Sequence, residues 1–502
     1  MATPKKNGKK VNGADTFPPN VPQPIVRILF YTDDSGEFGV IDDPVSGFGV
    51  GRLRELIENN TPSFVDIRIS FLNRFGASGQ LAHQITQQLL SNLDEVWFFG
   101  TRLSNLTPDE MFNELGQEEL RALGNWMVSG GVLMTGDHAN PKQDGAASSL
   151  DPLLNLGRAI GYQVPRAGQL RRWEGAPGRF ATEGNYNTHQ PKTGDLTLID
   201  GIQQDYDSTP QRLILNKYPV GKFANLTPFA RHRPHPLFCG KTGPIEIFPD
   251  HMHEGHLQIP AILDASWPTA PDGTKPAPEI IARGTDKRNG NIYGMVAAYD
   301  GDAATAGRIV ADSTWHHYFN FNLRGFEVHP DGSPGETLSR LADYYVNLAI
   351  WLAPKLKREQ MRFRIFWDMS RDPNVVEVKG GDLFTLGRTA FAVLGQSQCQ
   401  LSELVFSSIK LPVQPPSNDP GLPPEEVLLG GIVNQYQQAF DSHRRGKGSS
   451  RPRELIDAGV KHAFKVYQGE LQRALAASTK GYEALFPEKT YREPKAKSAR
   501  AN

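Results

Sequence analysis

Residues 118–138 read EELRALGNWMVSGGVLMTGDH. Leu120, Leu123 and Met127 recur at helical spacing, Gly130-Gly131 stops that helix, and Val132 to Thr135 is an apolar strand leading into Gly136-Asp137-His138. A helix that passes through two glycines into a short buried strand is half of a unit in which parallel strands alternate with crossover helices. Upstream the same alternation repeats. Thr107-Pro108-Asp109-Glu110 has capping-box chemistry with proline at the first helical position, and Glu95 to Phe99 (EVWFF) is a strand ending at Gly100. Leu81 to Leu93 is helical in pattern. Val65, Ile67, Ile69 and Phe71 alternate with polar residues as a strand does, and Val50, Leu53, Leu56 and Ile57 keep helical spacing. Pro24 to Tyr31 (PIVRILFY) is a buried strand that ends in the turn Thr32-Asp33-Asp34-Ser35-Gly36.

Downstream the pattern dissolves between Asn140 and Asn289, a stretch rich in Gly, Pro and polar residues with short apolar runs at Leu196 to Ile199, Arg212 to Leu215 and Ile245 to Phe248. A structureless loop of that length is foreign to a compact domain, so an insertion with its own β-hairpins is expected. The core pattern returns at Ile292 to Tyr299 and Gly307 to Asp312, and the amphipathic run Leu338 to Leu352 closes it before Pro354. The expected organisation is a basic disordered tail (1–21), an α/β domain (22–355) with its insertion at about 140–289, and a small α/β accessory segment (356–411). There Phe363 to Trp367 and Val375 to Val378 pair as strands and Leu383 to Phe406 is helical. A Pro-rich linker (412–424), a helical region (425–487) and a second disordered tail (488–502) follow.

Composition narrows the function. Lys plus Arg (54) balances Asp plus Glu (55), so no global field favours nucleic acid or an anionic membrane, and neither is an expected partner. No run approaches the roughly 20 apolar residues of a membrane span. Cys239 and Cys399 are the only cysteines, too few for a disulfide framework or a thiolate zinc cage, and the expected location is a reducing cytoplasm.

Six of the 13 histidines fall in three segments, each carrying an aspartate: Asp137-His138, Asp250 to His256 (DHMHEGH) and Asp312 to His317 (DSTWHH). Histidine is the commonest metal ligand and titrates near neutrality. In an extended segment His251 and His253 share one face, so they can present two imidazoles to one divalent ion, zinc or manganese, with His256 or Asp250 as a third ligand. Glu254 would then orient the activated water. His316 and His317 cannot both point one way from a strand, so one is expected in the site. Asp137 and His138 are candidates for general base or ligand, the alternative being a helix cap and a histidine bound to a neighbouring carbonyl. Asp33, Asp34 and Glu37 follow the first strand, where carboxylates bind metal or sugar hydroxyls, although simple turn residues fit as well. Arg171, Arg172 and Trp173 combine guanidinium forks with an aromatic platform suited to a sugar-like or anionic ligand, or else form a solvated basic loop. No phosphate-cradling glycine loop is present.

The 118–138 stretch resembles the helix–Gly-Gly–strand–His segment of ThuA-like proteins, the trehalose-utilisation branch of the class I glutamine amidotransferase-like superfamily. Gly307-Arg308-Ile309-Val310, leading to Trp315-His316-His317, looks like the closing strand and histidine of that family. The resemblance spans about residues 22–355 without the insertion. It implies a flavodoxin-like, doubly wound, mostly parallel sheet, here with a large loop/β insertion and a mainly helical C-terminal extension, and a carbohydrate-related small-molecule substrate. One departure matters. Amidotransferases place a nucleophilic cysteine after the strand that here ends at Thr135, and this chain has Gly136-Asp137-His138 there. Glutaminase chemistry is therefore not expected. Two readings remain: a metal-assisted hydrolase, or a non-catalytic amidotransferase-like module that binds a carbohydrate or protein partner. The helical C-terminal region motivates the second reading, since such extensions mediate assembly, and a homo-oligomer through those helices is one form it can take.

Overall fold

The computed structural model describes residues 23–32, 42–45, 49–74, 81–99, 117–135, 198–199, 202–203, 211–219, 232–248, 268–285, 292–312, 318–320, 323, 336–395, 425–444 and 452–485. The chain divides into two compact units. The first comprises Asn20–Ile365 with Leu394–Ser407, and the second Phe366–Val393, Ser408–Asn502 and Met1–Pro19.

The first unit is built on one eight-stranded sheet. Its strands are β1 (Ile25–Thr32), β2 (Asp66–Asn73), β3 (Glu95–Phe99), β4 (Gly131–Thr135), β5 (Ile214–Leu215), β6 (Glu279–Thr285), β7 (Ile292–Asp300) and β8 (Arg308–Asp312). They lie in the order β2-β1-β3-β4-β8-β7-β6-β5, with β2, β1, β3, β4 and β8 parallel and the rest antiparallel. Helices α1 (Gly51–Asn60) and α2 (Gln117–Trp126) supply the crossovers that parallel strands require. The expected α/β class with a mostly parallel core is what the chain adopts. The insertion is not separate from it, because β5 and β6, drawn from that stretch, extend the main sheet.

Both faces of the parallel core are covered, which is why its strands read as nearly unbroken apolar runs. On one face Leu29, Tyr31, Val96, Phe98 and Val132 pack with Leu123, Trp126 and Met127 at α2. On the other, Phe30 stacks on Trp97 at 5.2 Å and meets Phe99 edge-on at 5.2 Å. The 81–93 stretch is mostly not the expected helix; only Gln87–Leu90 is helical, started by Thr86, whose side chain accepts from the Leu89 amide. The reason is competition for backbone groups. The Ala82 and His83 amides donate to Arg74 O, and the Ile85 amide donates to Glu119. The proposed capping box at Thr107 lies outside the described residues.

The glycine stop before β4 has a steric cause. A side chain at Gly131 would collide with the Leu352 carbonyl at the end of α3 (Glu336–Leu352), and one at Gly130 with the Trp126 indole. Below this amino edge Arg308 donates to Asp300 (2.6 Å) and to Trp351 O (3.1 Å), with its guanidinium 4.5 Å from the Trp351 ring centroid. Arg358 pairs with Asp302 and donates to Ala353 O (2.8 Å), which holds the turn after α3. Buried among these groups, His235 packs 5.3 Å from Trp351. Burial, then the Arg308 charge, lowers its pKa to about 3.

The second unit is helical where described: the end of α4 (Lys355–Arg371), a short helix Pro373–Glu377, α5 (Leu383–Gly395), α6 (Glu425–Arg444) and α7 (Pro452–Leu485). The strands expected at Phe363 to Trp367 and Val375 to Val378 are helices instead. Short apolar runs do not distinguish the two by themselves, and here Met361, Ile365 and Met369 bury one face at four-residue spacing. α6 and α7 cross at Gly431 and Gly459, where an added Cβ at either would strike the other helix's backbone.

Cys239 is disulfide-bonded, which corrects the expectation of reduced thiols, and Cys399 is the one other cysteine of the chain. Thiol titration of the denatured, unreduced protein should therefore find no free thiol per chain; two would overturn the assignment. A second expectation follows from His235. Its folded pKa is depressed, so the stability it contributes is complete above pH 6.5 and is lost as pH falls towards about 3. The loss is on the order of 3–5 kcal/mol. Urea midpoints measured across that range should fall steeply for the wild type and distinctly less for His235→Leu.

Candidate functional site

The parallel strands end together. Thr32 of β1 pairs in register with Phe99 of β3, Phe98 with Met134 of β4, and Thr135 with Asp312 of β8. The sheet order reverses between β1 and β3, and ligands of open α/β sheets bind at the carboxyl edge beside such a reversal. At that position Thr32 Oγ1 is fully buried without a hydrogen-bond partner.

None of the side chains proposed from the sequence lies among the described residues. This holds for Asp33 and Asp34, for Asp137 and His138, for Arg171, Arg172 and Trp173, for His251, His253, Glu254 and His256, and for His316 and His317. The structure does bring together the strand ends from which several of them depart. Thr32 directly precedes Asp33, Thr135 stands two residues before Asp137, and Asp312 stands four before His316.

A buried polar–aromatic cluster anchors this edge. The Tyr318 hydroxyl donates to Asp312 Oδ2 at 3.0 Å and lies 3.4 Å from the Tyr344 hydroxyl of α3. Tyr345 packs 5.6 Å from the rings of both Tyr318 and Tyr344, and Phe99 lies 5.4 Å from Tyr318. Burial first, and the neighbouring Asp312 with it, pushes all three phenols well above their ordinary pKa, so they stay protonated donors. Phe248 packs 4.9 Å from Tyr344, and Phe248 is three residues before His251. The segment leading to the middle histidines and the strand leading to the last pair thus share one set of rings.

Asn320 joins the same edge to α1. Its Oδ1 accepts from the Arg52 amide (2.7 Å), its Nδ2 donates to Asp43 O (2.8 Å), and its own amide donates to Gly49 O (2.8 Å). Val50, the local cap of α1, makes no side-chain cap bond. A side chain remote in sequence therefore satisfies one of the helix's orphan amides. Gly51 is needed here because a Cβ would run into the backbone of Asp42, Asp43 and Pro44.

At the end of β2, Arg74 and Glu119 form a buried two-pronged ion pair at 2.6 and 2.7 Å. Burial opposes the charge, yet the Glu119 hydrogen bonds and Tyr31 hold the guanidinium above its ordinary pKa. Tyr31 in turn donates to His83 O at 2.9 Å. This pair pins α2 and residues 81–86 against the sheet. Sequence reasoning passed over Arg74, Glu119, Tyr318, Asn320, Tyr344 and Tyr345, and only Asp312 lay within a quoted cluster. The adjacent Tyr344-Tyr345 within an apolar helix was the one signal on offer.

Among the described residues no group of three or more His, Cys, Asp or Glu side chains is placed to hold a metal ion. No described helix is long and apolar enough to cross a membrane. Comparison with family models, curated proteins and solved structures found no match.

The Asp312–Tyr318 bond joins a carboxylate to a buried phenol, a class worth about 1.5–3 kcal/mol. Tyr318→Phe keeps the ring packing, so its expected cost is of that size, read from chemical denaturation. A change below ~0.5 kcal/mol would show that the bond does not hold this edge.

Proposed function

We propose that the carboxyl edge is the active site of a metal-assisted hydrolase on a flavodoxin-like, ThuA-like scaffold, acting on a carbohydrate-related small molecule. The observation that carries this reading is the common row formed by the ends of β1, β4 and β8, together with Phe248 packed into the cluster beside it. The parallel order β2-β1-β3-β4-β8 also follows the 2-1-3-4-5 pattern of flavodoxin-like sheets, which supports the scaffold.

Covalent reach supports the convergence. An extended chain advances at most ~3.5 Å per residue, so Asp137 lies within about 7 Å of Thr135, His251 within about 10 Å of Phe248, and His316 within about 14 Å of Asp312. β4 and β8 are neighbours, about 4.8 Å apart. In this reading Asp137 or His138 removes a proton from water while Glu254 orients it. Asp33 and Asp34 bind substrate hydroxyls, and Arg171, Arg172 and Trp173 clamp and stack the rest of the molecule. The imidazoles of His251, His253 and His256, with one of His316 and His317, supply donors of the kind zinc accepts, while carboxylates suit manganese. Such an ion, when bound, supplies Lewis acidity and lowers the pKa of water. The orphan Thr32 hydroxyl favours a polar ligand at the same edge. The disulfide at Cys239 suits an oxidising compartment better than a reducing cytoplasm.

Purified protein should contain close to one equivalent of zinc or manganese, lost in His251→Ala. Asp137→Asn should lower turnover of a responsive ester or glycoside substrate about 10²–10⁴-fold. Metal-free protein indifferent to added zinc or manganese, with His251→Ala unchanged on every substrate, would retire the hydrolase in favour of the binding module.

A further inference from the structure

Glu95, the first residue of β3, has no exposure to solvent. Its partners in the sheet are Ile28 of β1 and Gly131 of β4, neither of which offers a donor side chain. One carboxyl oxygen accepts from the Trp97 indole at 2.8 Å, and the other, Oε1, is buried with no hydrogen-bond partner. Other buried acids are better provided for. Glu119 receives both prongs of Arg74 and the Ile85 amide, and Asp343 receives the Lys241 amide at 2.8 Å. An ionised carboxylate only accepts hydrogen bonds and has about four sites for them, so a single indole leaves it far from satisfied.

The charges around it are engaged elsewhere. Arg358 of α4 pairs with Asp302 and donates to Ala353 O, while Lys357 donates to Ile25 O at 2.7 Å and lies 3.7 Å from Asp94. Asp94 accepts from the Arg27 amide at 2.9 Å and sets a like charge next to Glu95 in the chain. Asp300, Asp302 and Arg308, the remaining charges of the amino edge, pair among themselves. Burial raises the Glu95 pKa well above its ordinary value and Asp94 adds to this, against the Trp97 hydrogen bond and the more distant Arg358 charge. The closed edge therefore holds Glu95 as the neutral acid.

We propose that the amino end of β3 is a pH-sensitive latch, closed around protonated Glu95 and opened when that carboxyl ionises and turns to water beside Asp94. The Asp94 side chain, 13% exposed, marks the short way out. The folded pKa is raised, so the stability Glu95 contributes is complete below about pH 4.5 and is lost as pH rises towards the folded value. Over that interval each pH unit favours the open form by up to about tenfold. β3 runs on to Phe99 in the row at the carboxyl edge, so opening loosens a strand beneath the candidate site. The latch does not depend on the hydrolase reading. Native-state hydrogen exchange of the full chain at residues 95–99, corrected for intrinsic rates, compares the wild type with Glu95→Gln from about pH 5 to 9. That variant keeps an acceptor for Trp97 and cannot ionise, and His235, which titrates in both proteins, cancels. Opening in the wild type should outpace the variant by up to about tenfold per pH unit. In the wild type alone, the Trp97 indole N–H resonance, assigned with Trp97→Phe, should titrate with a midpoint well above 4.5. Equal exchange profiles in the two proteins, or an indole resonance that titrates near 4.5 or stays flat to pH 9, overturns the latch.

Discussion

The parallel pairing of β4 with β8 is the constraint on which the rest of the first unit depends. These strands are far apart in the chain, yet their register sets Thr135 beside Asp312 and completes a row that begins at Thr32. Without it, the ends of β4 and β8 have no common edge. The pairing is held from both ends. At the amino edge Arg308 ties β8 to Asp300 and to the end of α3, and at the carboxyl edge the buried Asp312 is held by Tyr318.

Burial of ionisable groups separates the two ends of the sheet. At the amino edge, charges are paired or suppressed: Arg308 and Arg358 meet Asp300 and Asp302, His235 is kept neutral by desolvation, and burial pushes the Glu95 carboxyl well up. These groups lock packing. At the carboxyl edge the buried hydroxyls of Tyr318 and Tyr344 face a carboxylate, Thr32 keeps an unused hydroxyl, and Asn320 reaches across to cap α1. Buried polar pairs thus hold the strand ends at this edge.

The second unit obeys a different rule. Glycines set the closest approaches, Gly387 and Gly430 between α5 and α6 and Gly431 and Gly459 between α6 and α7, while Phe366 and Trp367 of α4 meet Tyr436 and Phe440 of α6 through their rings. Glycine within a helix costs about 1 kcal/mol relative to alanine, so the close crossing has to return more than that in packing. Past the start of α6 that packing ceases, and residues 472–480 of α7 are exposed.

Local patterning alone determined the strands EVWFF and GVLMT, the glycine stop before β4, the alternation of strand and helix, and the closing helix before Pro354, because each is a periodicity or a steric break within a few residues. The same logic failed at 81–93 and at Phe363 to Trp367, where short apolar runs suit either state and distant partners chose. Only the tertiary structure decided that β5 and β6 join the main sheet, that Asn320 caps α1, and that Phe248 shares its rings with Asp312. These are contacts between residues scores of positions apart. A sequence records which groups are present, whereas the closeness of Tyr318 to Tyr344, or of Phe248 to Tyr344, exists only once the backbone has paid the entropy of closing the loops between them.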